Sequence, residues 1–142
     1  MKKKPPRRPP KGVQYFNAGP LPMNFGVCFT APAFAAEMKR LRIDEPNPFV
    51  TPGCGATVHS FINDDRTPSL TTIMSLPLDD LRSKSISRVA SIIAHEAVHC
   101  TQAALDHMEE KTAGEETRAY FTDWFVYCAM DAIMAQKKRG KE

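Results

Sequence analysis

A chain of 142 residues, 42% hydrophobic and 25% charged, is sized for one globular domain of ordinary composition. No apolar run approaches the roughly 18 residues of a bilayer span, and prolines follow the basic N-terminus where a signal peptide needs an apolar stretch, so no membrane partner and a cytoplasmic location are expected. The net charge of +3 hides an asymmetry: residues 1–12 hold six Lys or Arg, residues 137–142 hold four beside Glu142, and these ends together leave the segment 13–136 at −6, which argues against a basic nucleic-acid-binding face.

The first twelve residues, MKKKPPRRPPKG, are expected to form a disordered or polyproline-II arm. Its plainest role is solubility, with weak contact to nucleic acid or a protein partner as the further options. VQYF and NFGVCFT are short β-type runs parted by Gly19, Pro20 and Pro22. APAFAAEMKRLRI is helical, with Phe34, Met38 and Leu41 on one face. ATVHSFI alternates, setting Ala56, Val58, Ser60 and Ile62 against Thr57, His59 and Phe61 on the other face. NDDRTP makes a turn and SLTTIMSL a further strand ended by Pro77. Asp79 or Asp80 can cap a helix running to about His107. After a break at Glu110–Gly114, a last helix runs from Glu115 to about Lys137, and 137–142 form a basic tail. The expected class is α+β, with one domain over 13–136. Cys28, Cys54, Cys100 and Cys128 include no C-x-x-C pair and are expected to be reduced and mostly buried.

The helix SIIAHEAVHCTQAALDH places His95, Glu96 and His99 among alanine, isoleucine and valine. Residues four apart stand one turn above each other, so His95 and His99 can offer imidazoles to one ion. Val89, Ile92, Ile93 and Ala103 define the arc facing the core, and Glu96 falls inside it with the histidines on its flank. A buried carboxylate needs a partner. A water on a zinc ion would be one, with Glu96 as its general base. The plainer alternative is a pair of core histidines beside a buried salt bridge.

Zinc with two histidines needs at least one more protein ligand, and the last helix offers candidates. Glu116, Tyr120, Asp123 and Tyr127 form one stripe that continues into Met130 and Met134, and on this pattern the stripe is expected to point inward. Glu116 is the favoured third ligand, with Glu115 left open. Phe121, Trp124 and Phe125 fall on the other side, where packing explains them.

HEAVH on one helix and ETRAY on the next resemble the zincin metallopeptidases of the gluzincin type, whose second helix carries E-x-x-[S/A]-[D/Y]. The motif maps onto Glu116, Ala119 and Tyr120. The resemblance covers about 56–136, with sharp motifs only in 95–120. ATVHSF, HEAVHCTQ and GEETRAY together are also similar to small proteins encoded by bacteriophages and prophages, which would place the chain in the host cytoplasm. The resemblance implies a minimal zincin-like fold, a small mixed sheet on the HExxH helix with the third ligand on the C-terminal helix. It also implies one zinc per chain on His95, His99 and Glu116, and a zinc-dependent peptidase acting on a peptide or protein substrate. Gln102 and Leu105 stand where metzincins carry Gly and His, which excludes that subfamily. Tyr120 replaces the aspartate of thermolysin-like enzymes and cannot supply its charge.

On this reading Glu96 takes the proton from zinc-bound water and returns it to the leaving amine. Tyr120, then His59, then His107 are the candidates for steadying the oxyanion. The substrate is expected to add as a strand along SLTTIMSL. The competing expectation is a zinc-binding structural or host-interaction protein without peptidase activity.

Overall fold

The computed structural model describes residues 8–63 and 69–140. The elements are β1 (Val13–Phe16), β2 (Met23–Cys28), α1 (Ala31–Arg40), β3 (Thr57–Asn63), β4 (Ser69–Ser75), α2 (Leu78–Arg82), α3 (Ile86–His107) and α4 (Glu115–Arg139). The class is α+β, as expected. Most of the N-terminal arm, the segment 64–68 where NDDRTP is expected to turn, and the last two residues of the basic tail lie outside the described residues.

The strands form one mixed sheet in the order β1-β2-β4-β3, with β1 and β3 antiparallel to their neighbours and β2 parallel to β4. SLTTIMSL therefore supplies an interior strand. The edge beside the candidate site is β3, which corrects the expected place of an added strand. Alternation along each strand divides the core in two. Phe25, Val27, Leu70, Met74 and Val58 face α3 and α4, where Ile93, Ala97, Phe125 and Ala129 meet them. Cys28, Ile73 and Phe61 face α1 through Phe34 and Met38, with Leu41 packed alongside.

The helix expected to run from Asp79 or Asp80 to His107 is two helices. The hydroxyl of Ser83 donates to the carbonyl of Asp80 at 2.9 Å, and extended Ser85 accepts from the N–H of Arg88 at 3.2 Å. Serine side chains that bond the backbone locally compete with a continuous helix and cap a new one. Pro77 is the N-cap of α2, and the two aspartates occupy its first turn.

Beneath α1, Glu37 is fully buried. Arg40 donates from Nε to both its oxygens at 2.9 Å and from Nη2 to one of them, while the Tyr15 hydroxyl donates at 2.8 Å. Tyr15 lies flat over Gly26, where any Cβ would meet its ring at 3.0 Å. Burial, then the bond to Glu37, pushes the Tyr15 phenol well above its usual range. The network satisfies a charge that would otherwise be stranded between helix and sheet. Arg40→Met should therefore cost about 3–5 kcal/mol, and Glu37→Gln added to it should recover much of the loss, read from urea unfolding midpoints.

Candidate functional site

The helix α3 is apolar along one face because Val89, Ile93, Ala97, Cys100 and Ala104 must close against the sheet and α4. Glu96 lies within that face and is 7% exposed. His95 and His99 stand beside it, exposed on the flank. All three border an open groove of about 350 Å³ whose opposite side is the start of β3, with Thr57, Val58 and Ser60, and the preceding turn, with Thr51 and Cys54.

The two imidazoles meet tip to tip. Their Nε2 atoms are 3.3 Å apart and their rings are inclined at 70°. Two nitrogens bound to one tetrahedral ion at 2.0–2.1 Å stand about 3.3–3.4 Å apart, so the spacing fits a shared zinc. It is long for a direct N–H···N bond, which would also require opposite tautomers on the facing nitrogens. Among the described residues Glu96 has no hydrogen-bond partner, and burial raises its pKa above the ordinary carboxylate value, against the opposing influence of His95 and His99.

The expected third ligand stands elsewhere. Thr101 of α3 and Thr122 of α4 bond through their hydroxyls at 2.8 Å, and Arg82 lies against Gly140, so α4 runs antiparallel to α3. Glu116, six residues before Thr122, is then level with about His107, roughly 12 Å along the axis beyond His99. Helical side chains lean toward their own N-terminus, which carries Glu116 and His99 further apart. The histidines also lie about 120° and 160° round α3 from Thr101, the side that touches α4. The stripe expected to point inward is the solvent face of α4: Glu116 and Asp123 are exposed, Tyr120 is 69% and Tyr127 71% exposed. Phe125, Cys128, Ala129, Ala132 and Ile133 form the buried face instead, because the other stripe would carry the carboxylates of Glu116 and Asp123 into the core. Glu115 is likewise exposed in the first turn. Among the described residues no three His, Cys, Asp or Glu side chains converge on one ion position.

None of the expected oxyanion donors adjoins the histidines. Tyr120 is on the outer face of α4. His107 ends α3. His59 is buried on the opposite side of the sheet, between Phe34 and Phe61, with Nε2 3.0 Å from the carbonyl of Phe49. Burial lowers the pKa of His59, so it is a neutral structural donor. What sequence reasoning missed is Cys54, the exposed cysteine. Its signal is a cysteine between two glycines in TPGCGA, a turn that borders the same groove as the histidine pair.

Among the described residues no helix is long and apolar enough to cross a membrane. No family model, no curated protein and no solved structure matches this chain.

Because the Glu96 carboxylate is held above its ordinary pKa, the metal-free fold is penalised when it ionises and relieved as pH falls through the raised value. Glu96→Gln should therefore stabilise the metal-free protein at pH 7 by the order of 1 kcal/mol, a few degrees in Tm. Thermal unfolding in the presence of a chelator should show this gain shrinking toward pH 4.

Proposed function

We propose that the chain is a zinc-dependent peptidase whose ion is held by His95 and His99 and whose general base is Glu96. The observation that carries this reading is the 3.3 Å between the two Nε2 atoms, with the largely buried Glu96, which has no hydrogen-bond partner among the described residues, beside them. The likeness of HEAVH to the zincin motif supports it. When bound, the ion supplies a Lewis acid and lowers the pKa of water at the site.

The residues of the chain do the rest. Glu96, already shifted toward proton affinity, accepts a proton from water and passes it to the leaving amine. The groove beside β3 receives an extended peptide, whose backbone pairs with the free edge of that strand. Thr57 and Ser60, which line the same groove, are placed to meet the peptide's polar groups.

The outward placement of Glu116 favours a second reading, a metal-binding structural or host-interaction protein without hydrolysis. Metal analysis with assay of an unfolded protein substrate separates the two. We expect one zinc per chain in the wild type and in Glu96→Gln, zinc lost in His95→Ala and His99→Ala, and cleavage lowered by at least about 100-fold in Glu96→Gln. Equal cleavage by wild type and Glu96→Gln would remove the carboxylate from the mechanism. Zinc bound without any cleavage would leave the second reading.

A further inference from the structure

We infer that the third ligand of the ion is the thiolate of Cys54, delivered by the turn before β3, and that Glu116 has no part in the site. The inference rests on the metal reading above and names a donor that this reading leaves open.

Three observations converge on Cys54. The first is its chemistry and exposure. Cys28, Cys100 and Cys128 are buried, and burial is the main cause that pushes the thiols of Cys28 and Cys128 up to about 11. Such thiols are poor ligands, since the thiolate is the binding form. Cys54 alone is exposed.

The second is its place. Cys54 borders the groove together with His95, Glu96 and His99, and apart from those three it is the one ligand-type side chain lining it among the described residues. Gly55 holds it there by packing on α3, where any Cβ would stand 3.2 Å from Cδ1 of Ile92, one turn before His95.

The third is the build of the turn. The N–H of Cys54 donates to the carbonyl of Thr51 at 2.9 Å, with Pro52 and left-handed Gly53 (φ 82°) between them, the pattern of a type II turn. The Thr57 hydroxyl accepts from the N–H of Thr51 at 2.8 Å and ties the turn to the strand. Nothing lies within 4 Å of where a Gly53 Cβ would stand, so the tip of the turn is open on that side. Movement is required, because the thiol and the imidazoles do not yet converge on one point.

Electrostatics accepts the exchange. A thiolate carries the same single negative charge as a glutamate ligand, and two imidazoles with one thiolate leave a fourth position open on a tetrahedral ion. On binding, the thiol proton leaves to solvent.

Cobalt(II) loaded into the full chain tests the assignment, because thiolate ligation adds a near-ultraviolet sulfur-to-cobalt charge-transfer band to the visible bands of a tetrahedral ion. We expect that band in the wild type, its loss in Cys54→Ser, and no change in Glu116→Gln. Zinc affinity should fall by roughly 100-fold or more in Cys54→Ser, beyond the loss typical of an outer-shell change, and by less than about twofold in Glu116→Gln. Visible bands without the charge-transfer band, or a band that survives Cys54→Ser, would overturn the ligand assignment and leave the metal reading intact. Failure of the wild type to bind cobalt or zinc at all would overturn both.

Discussion

The arrangement of the site follows from how α3 meets the sheet. Its apolar face must be covered, and the residues that cover it form one continuous core from Phe25 and Met74 to Ala97 and Phe125. Glu96 is spaced within that face, so the packing that stabilises the domain also takes most of its side chain out of water. The energetic tension is local: burial disfavours the charge, and no neighbour among the described residues relieves it by hydrogen bonding. Elsewhere the same fold buries Glu37 but surrounds it with Arg40 and Tyr15. Two buried glutamates with opposite treatment separate a structural charge from one kept available at a groove.

The two flanks of α3 meet different surroundings. One flank, through Thr101, is taken by α4, and the other carries His95 and His99 toward β3 and the turn at Cys54. A helix of radius near 5 Å with its side chains cannot bring ligands from opposite flanks to one ion without long detours. Any donor that completes the histidine pair therefore comes from the β3 side. The sheet topology, with β4 inside and β3 at the edge, sets an edge strand along the same groove.

Much of this was legible in the sequence because local periodicity decides it. The two faces of β3, the core arc of α3 with Glu96 inside it, and the break before α4 are set by alternation and helical spacing, and each appears as read. The split between α2 and α3 was missed because Ser83 and Ser85 act through side-chain bonds to nearby backbone, which a hydrophobic pattern does not register. The sheet order was not legible at all: β4 is buried on both faces because it is interior, yet its mixture of Ser, Thr, Leu, Ile and Met does not say which strands lie beside it.

The misplacement of Glu116 has a sharper cause. A wheel drawn for α4 yields two competing stripes, one of Glu116, Tyr120, Asp123, Tyr127 and Met134, the other of Phe121, Phe125, Cys128, Ala132 and Ile133. Taking the first as the inward face because it continues into Met130 and Met134 places two tyrosines and two carboxylates in the core, while the second offers a face without a charged side chain. Solvation settles the contest for the second, since each carboxylate on the first would need a buried partner of the kind Arg40 gives Glu37. A ligand demanded by one helix cannot rotate its neighbour against that cost. By contrast, a side chain on an exposed turn such as Thr51–Cys54 is placed without any helix giving up its packing.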